Sequence, residues 1–168
     1  MTFTFTSTFK EQFLASLAIQ SRSLSSIIIG VGFAGASVFL LSLHLFGLHR
    51  FPQLDVLILI IVGFTMIPLL TAFNVWTFRR QNKMAVGEQT YTFDETGLSI
   101  SGDHFEAEVK WSGIRQIVET NRFFLFYISS QMAYFLPKWI IGDLASVEAL
   151  RSILRKHKSD SVRLKAQQ

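Results

Sequence analysis

The sequence contains no cysteine and only three prolines, and 17% of its 168 residues are charged. The lack of cysteine excludes disulfide bonds, thiolate nucleophiles and cysteine-ligated zinc or iron–sulfur sites. The charged fraction is low, and the sequence has 49% hydrophobic residues and a mean hydropathy of +0.35. This composition excludes intrinsic disorder and favours a membrane protein. The net charge of +4 is too small to indicate a nucleic-acid ligand.

Two long stretches, residues 24–48 and 56–78, contain no lysine, arginine, aspartate or glutamate. Each is longer than the roughly 20 residues that a helix needs to cross a bilayer. Between them lies a short segment in which Pro52 interrupts a helix. The sequence therefore predicts a transmembrane hairpin within residues 23–80, with spans at about 24–48 and 56–78.

Basic residues flank the two predicted spans unevenly. Arg22 precedes the first span with Lys10 upstream, and the second span is followed by Arg79, Arg80 and Lys83. The intervening loop has only Arg50. The positive-inside rule then places both termini in the cytoplasm, in a multi-pass protein of the bacterial inner (cytoplasmic) membrane. Arg22, Arg79, Arg80 and Lys83 are also candidates for contact with anionic lipid headgroups.

Small residues recur at four-residue spacing in the first span, and a proline lies within the second. Such stripes let helices approach closely, either inside the hairpin or between two copies of the chain, and the motif alone does not choose. The stripe consists of Ser26, Gly30 and Ala34, with Gly32 and Ala36 beside it. Pro68 cannot donate a backbone hydrogen bond, so a helix kink is predicted there.

The amino-terminal arm, residues 1–22, combines a strand pattern with a helix start. Phe3 and Phe5 alternate with threonines, and Thr8 and Glu11 have the spacing of a capping box. The pattern predicts a short strand followed by an amphipathic helix. This helix lies in the membrane surface, or the strand joins the sheet of the carboxy-terminal domain. We favour the second arrangement because an unpaired threonine–phenylalanine strand is a poor free end.

The second half of the chain has the pattern of a small β-domain. Residues 89–137 alternate in polarity and contain frequent turn signals, which predicts about six short antiparallel strands. From Asp143 the apolar spacing becomes helical and continues to about His157. We therefore predict a β-barrel closed by a carboxy-terminal helix over residues 88–158, followed by a frayed tail at 159–168.

Several segments of this half resemble the YcxB-like family. They are YTFDETGLSIS (91–101), VKWSGI (109–114), QIVET (116–120), FLFYIS (124–129) and FLPK (135–138). The resemblance implies two membrane helices followed by a domain similar to bacterial pleckstrin-homology domains, and it implies no reaction. The overall expectation is thus an α+β membrane protein, a transmembrane helical hairpin plus a small antiparallel pleckstrin-homology-like β-barrel closed by a carboxy-terminal α-helix.

The family motif is carried by Trp111, Ser112, Ile114, Leu136, Pro137 and Lys138. Gly113 departs from the acidic residue that the resemblance leads us to expect after Trp-Ser. Trp111 and Leu136 are predicted to be core residues, with Trp111 facing the last helix through Leu150 or Leu154. Lys138 has two interpretations, a functional surface residue or a lysine that ends an edge strand.

No catalytic constellation is evident. The four histidines are scattered, and none forms a metal-ligand spacing with a carboxylate. Glu106 and Glu108 share a strand face with Lys110, which is typical of a solvated charged surface. We therefore predict a protein that is not an enzyme and has no cofactor and no metal.

The predicted function is a non-catalytic scaffold or protein-interaction module that displays a pleckstrin-homology-like domain on the cytoplasmic face of the inner membrane. The alternatives are an accessory or regulatory subunit of a transporter or membrane enzyme, or an anionic-lipid-binding module. The expected partners are the lipid bilayer and either a second copy or another membrane protein, without nucleic acid.

Overall fold

The computed structural model describes residues 1–22, 53–82, 86–103, 105–158 and 162–164, together with scattered positions between residues 28 and 46. The helices are α1 (Phe9–Gln20), α2 (Gln53–Gln81), α3 (Lys138–Ile141) and α4 (Leu144–Lys158), and a 3-10 turn covers Trp111–Gly113. The strands are β1 (Thr2–Thr6), β2 (Glu88–Phe93), β3 (Gly97–Gly102), β4 (Phe105–Lys110), β5 (Gln116–Glu119), β6 (Phe123–Tyr127), β7 (Ala133–Pro137) and β8 (Val162–Arg163).

The strands form two four-stranded sheets, in the orders β1-β2-β3-β4 and β7-β6-β5-β8. All neighbouring strands are antiparallel except β5 and β8, which are parallel. Phe3 of β1 lies opposite Tyr91 of β2, so the amino-terminal strand extends the first sheet as predicted. The six strands predicted between residues 89 and 137 and the helix that follows them are also confirmed.

The core lies between the two sheets and is closed by α4. Strand alternation directs one apolar row of each sheet inward, and α4 adds leucines at helical spacing. The principal members of this core are Phe5, Tyr91, Phe93, Leu98, Ile100, Ile117, Phe124, Phe126, Leu150 and Leu154. On the outer face of the first sheet, threonine pairs such as Thr4 and Thr90, 3.0 Å apart between hydroxyl oxygens, cross the β1–β2 ladder.

Strand β6 is buried on both faces, because α1 covers the outside of the second sheet. Phe124 and Phe126 face the main core, whereas Phe123 and Leu125 pack with Ala15 of α1 in a second apolar cluster. This double burial explains why β6 is a continuous apolar run rather than an alternating one.

Helix α1 also holds the second half of α2. The Thr71 hydroxyl donates a 2.8 Å hydrogen bond to the Gln20 side-chain oxygen, and Arg79 donates at 2.9 Å to the Ser7 carbonyl oxygen. Thr71 and Val75 are buried at this contact, with 1% and 7% of their surface exposed. The carboxy-terminal half of α2 is therefore attached to the amino-terminal arm.

The prediction of a transmembrane hairpin is wrong. Across the part of the chain that the structure describes, none of the helices has the combination of length and apolar composition that a membrane crossing requires. Thr71 and Val75 of α2 are buried on protein, whereas apolar composition alone does not distinguish a helix that meets lipid from one that meets protein. The fold class is corrected to α+β with two sheets. The expectation of a multi-pass protein of the inner membrane with both termini cytoplasmic is corrected with it.

Several predicted residues of the hairpin lie outside the described residues, namely Ser26, Gly30, Ala34 and Lys83. Gly32 and Ala36 are described and exposed. Pro68 lies inside α2, which continues on both sides of it. The packing role of the small residues and the kink at Pro68 stay predictions.

The capping box of α1 gives a first testable prediction. The Thr8 hydroxyl accepts from the Glu11 backbone N–H at 3.3 Å, and the Glu11 carboxylate accepts from the Thr8 backbone N–H at 2.8 Å. Replacing Thr8 with alanine is expected to lower the free energy of unfolding by about 1 kcal/mol, measured by denaturant titration of the full chain. Lys10→Ala, at the exposed first turn of the same helix, is the control. An equal loss in both variants would contradict a specific contribution from the cap.

Candidate interaction sites

A buried carboxylate with two basic partners joins three elements of the β-domain. Glu119 ends β5, and its side chain is completely buried. Arg151 of α4 donates two hydrogen bonds to it, from Nε to Oε2 at 3.0 Å and from Nη2 to Oε1 at 2.6 Å. Lys138, the first residue of α3, forms an ion pair with the same carboxylate. We call Glu119, Lys138 and Arg151 the charge cluster.

The charge cluster determines the protonation of Glu119. Burial acts most strongly and by itself would raise the pKa of this carboxyl group. The hydrogen bonds and positive charges of Arg151 and Lys138 act together in the opposite direction, and the net pKa lies below its ordinary value. Glu119 is therefore ionised at neutral pH and ties β5 to α3 and α4.

Lys138 contributes to this cluster rather than ending an exposed strand. Its side chain is 21% exposed, and its ammonium group also lies over the Phe124 ring, 5.3 Å from the centroid. Glu119, which sequence reasoning had not selected, is the residue that gives Lys138 its role. Strand alternation provides the missed signal, because Glu119 shares the inward face of Ile117.

The other motif residues are structural. Ile114, Leu136 and Pro137 are buried, whereas Ser112 is exposed. Trp111 is buried as predicted and belongs to the same core as Leu150 and Leu154, but it lies in the 3-10 turn and stacks on His157 with 5.0 Å between ring centroids. Its indole N–H donates to the Asp94 carbonyl oxygen at 3.1 Å. The motif therefore joins the β2–β3 turn to the end of α4.

Helix α2 has a broad apolar surface without a protein cover among the described residues. Its large side chains are between 44% and 65% exposed, namely Ile61, Met66, Leu69, Leu70, Phe73, Trp76 and Phe78. We call these seven residues the α2 surface. Residues 61–78 contain no charged side chain, and the Arg80 guanidinium at one end lies 4.5 Å from the centroid of the Trp76 ring. Several large exposed apolar side chains grouped on one helix mark an interaction site more often than scattered single residues do.

A second site is a cavity of about 460 Å³ where α1 ends beside the second sheet. Arg22 follows α1, Arg115 precedes β5, and Arg163 lies in β8, and all three side chains line the cavity. The other lining residues that the structure describes are neutral, namely Ser21, Gln116, Tyr127, Ser129 and Ser130. We call this cavity the arginine pocket. The fold thus brings together basic residues from the beginning, middle and end of the chain.

Tyr127 gives the arginine pocket a buried polar group. Only 5% of this residue is exposed, and its hydroxyl oxygen has no hydrogen-bond partner among the described residues. Burial raises the pKa of the phenol, and the nearby positive charge of Arg22 opposes this rise. The phenol is therefore protonated at neutral pH and has a hydrogen to donate.

The predicted basic residues around the apolar stretches have different positions in the structure. Arg22 lines the arginine pocket, Arg79 donates to Ser7, and Arg80 lies on Trp76. In the described part of the chain, no three histidine or acidic side chains converge in a metal-binding arrangement.

The arrangement of motif residues around one core can be compared with known families. Residues 93–154 match the family described as YcxB-like protein. This match confirms the resemblance predicted from the sequence. The YcxB-like region begins at the last residue of β2 and ends within α4, so it contains the charge cluster, Arg115 and Tyr127. Arg22, Arg163 and the α2 surface lie outside it. No curated protein and no solved structure matches the chain.

Proposed function

We propose that the chain is a non-catalytic interaction module that associates with a second copy through the α2 surface and thereby displays the YcxB-like region. The observation that carries this proposal is the exposure of seven large apolar side chains on one helix. Apolar surface is removed from water when another apolar surface covers it, at about 25 cal/mol per Å².

The attachment of α2 to the β-domain makes such a contact useful for a scaffold. Thr71 and Arg79 bond to Gln20 and Ser7, and the strand β1 before Ser7 belongs to the first sheet. An association through α2 would therefore also set the position of the β-domain. Without these hydrogen bonds, α2 would be joined to the β-domain only through the chain, and its contacts would not determine how the β-domain is oriented.

A second copy of the chain is the partner that suits the α2 surface best. The surface is uncharged from Ile61 to Phe78, so an identical surface is chemically complementary and meets no like-charge repulsion. Self-complementary patches of this kind are used in two-fold symmetric dimers. The aromatic residues Phe73, Trp76 and Phe78 belong to the residue types enriched at interface centres.

Site-specific photo-crosslinking tests this proposal. A photoreactive amino acid replaces Phe73 in the full-length chain within cells, and the matched control has it at Glu106, on the exposed side of β4. We expect crosslinked dimers from position 73 and none from position 106. In addition, Phe73→Glu should weaken self-association at least about tenfold, whereas Ser112→Glu adds the same charge at a remote exposed position and should not.

The alternative outcomes are distinguishable by mass spectrometry of the crosslinked products. Reproducible crosslinks from position 73 to one different protein, without self-crosslinks, would replace the homomeric scaffold by an accessory subunit. The absence of any protein crosslink specific to position 73 would overturn the proposal that α2 is a protein-contact surface.

A further inference from the structure

The arginine pocket has an excess of positive charge that its described lining residues do not balance. Arg22, Arg115 and Arg163 line the pocket, and none of the lining residues that the structure describes is acidic. The ion pairs of the described residues lie in the charge cluster and its extension to Glu148 and Arg155, and none of them involves the three pocket arginines. Three like charges around one cavity repel one another, so an anion between them would relieve this repulsion.

The neutral groups of the pocket add hydrogen-bond donors. The buried hydroxyl of Tyr127 has no acceptor among the described residues, although a buried hydroxyl normally has a partner. Ser129 Oγ accepts from the backbone N–H groups of Gln131 and Met132 at 3.3 and 3.0 Å, which leaves the serine proton as a donor. The pocket is thus rich in hydrogen-bond donors. Donors without acceptors suit a ligand whose polar atoms only accept hydrogen bonds.

We propose that the arginine pocket binds a phosphate monoester group. Such a group has a charge of about −1.5 to −2 at neutral pH and three acceptor oxygens. An arginine guanidinium can donate two parallel hydrogen bonds to two oxygens of the same phosphate, and Tyr127 supplies a neutral donor from the pocket wall. A carboxylate has less negative charge and only two acceptor oxygens, so it leaves part of the basic lining unused.

The dimensions of the pocket indicate that the phosphate is part of a larger molecule. A volume of about 460 Å³ lies within the usual range for small-molecule sites, roughly 300–1,000 Å³, and exceeds the needs of a bare anion. The same phosphate monoester chemistry occurs in soluble phosphorylated metabolites and in lipid headgroups such as phosphatidic acid. This inference is independent of self-association through α2.

Binding to the pocket can be measured with the full-length chain by calorimetric titration. The soluble probes are inorganic phosphate and glycerol 3-phosphate, with acetate as the carboxylate control. A second arm uses phosphatidylcholine vesicles with and without phosphatidic acid. We expect glycerol 3-phosphate to bind at least tenfold more tightly than acetate and to lose affinity as salt is added.

Two variants test the residues that carry the inference. Arg115→Ala should weaken binding of glycerol 3-phosphate at least tenfold, whereas Arg122→Ala, at an exposed turn outside the pocket, should leave it unchanged. Tyr127→Phe removes a single oxygen and should weaken binding about fivefold without a loss of stability, because the hydroxyl has no described partner in the free protein.

The possible outcomes distinguish a free phosphorylated ligand from a lipid headgroup and show whether the pocket binds phosphate at all. If the soluble probes bind, and Arg115→Ala and Tyr127→Phe weaken that binding as expected, the result supports a free phosphorylated ligand. If binding occurs only with phosphatidic acid vesicles, and the same two variants weaken it, the phosphate is assigned to a lipid headgroup. Equal affinity for acetate and glycerol 3-phosphate would overturn the phosphate assignment. No binding in either arm, or binding unaffected by Arg115→Ala and Tyr127→Phe, would overturn the site itself.

Discussion

Replacing Glu119 with glutamine is expected to lower the free energy of unfolding by about 3 kcal/mol at neutral pH, because it removes one partner from a buried ion cluster. The Glu119 side chain is fully buried, while Arg151 and Lys138 are 12% and 21% exposed. The amide can accept hydrogen bonds but has no charge to balance two cations that remain largely out of water. Denaturant titration of the full chain measures the loss.

The control for this substitution is Glu106→Gln, which neutralises an exposed carboxylate on β4. Surface charges of this kind contribute roughly 0–1 kcal/mol, so the control should remain close to the unmodified chain. If Glu106→Gln and Glu119→Gln destabilise equally, the assignment of a structural role to the charge cluster is wrong.

The same cluster predicts a pH dependence of stability. The pKa of Glu119 in the folded chain is below its ordinary value of 4.5, so the unfolded state binds the proton more readily. The resulting stabilisation is fully present above pH 4.5 and is lost as the pH falls through the folded pKa. Unfolding measured between pH 7 and pH 3 should therefore show a weaker acid dependence in Glu119→Gln than in the unmodified chain. Parallel pH curves would contradict the depressed pKa.

Replacing Gly97 with alanine is the second change with a large expected effect. Gly97 begins β3 and lies opposite Lys110 of β4. A Cβ atom at this position would contact the Val109 carbonyl oxygen and would lie only 2.8 Å from Lys110 Cα. These are backbone atoms of a paired strand, so they cannot rotate away as a side chain can. We expect a loss of about 3 kcal/mol in the free energy of unfolding.

Gly113→Ala is the matched control, since the nearest atom to its added Cβ is Val109 Cγ1 at an ordinary 3.8 Å. Both variants add one methyl group to a glycine near β4, so only the close backbone approach differs. Amide hydrogen exchange should also show faster exchange across β3 and β4 in Gly97→Ala. A Gly97→Ala chain as stable as Gly113→Ala would show that the two strands can separate at low cost.

The strands and the closing helix were predictable because their signals are local. Tyr91 and Phe93 alternate with threonines, and Leu150 and Leu154 recur at helical spacing, so each pattern identifies its own element and its apolar face. Thr8 and Glu11 likewise specify the start of α1 through neighbouring backbone groups. The family motif was predictable for the same reason, because it consists of short contiguous segments.

The predicted membrane hairpin shows the limit of composition as evidence. The uncharged run from Val56 to Phe78 indicates an apolar helix, and the structure contains α2 there. The run carries no information about which surface each residue meets. Thr71 and Arg79 contact Gln20 and Ser7, which belong to a distant segment of the chain. No pattern within α2 predicts these contacts.

The sequence by itself determined the strands β1 to β7, the closing helix, the capping of α1 and the resemblance over the YcxB-like region, whereas the strand β8 lies where a frayed tail was expected. Only the tertiary structure decided that Glu119 lies between Lys138 and Arg151, and that Arg22, Arg115 and Arg163 surround one cavity. The physical reason is the range of the interactions. Backbone hydrogen bonding and side-chain periodicity act over a few residues, whereas the meeting of distant charges depends on how whole elements pack.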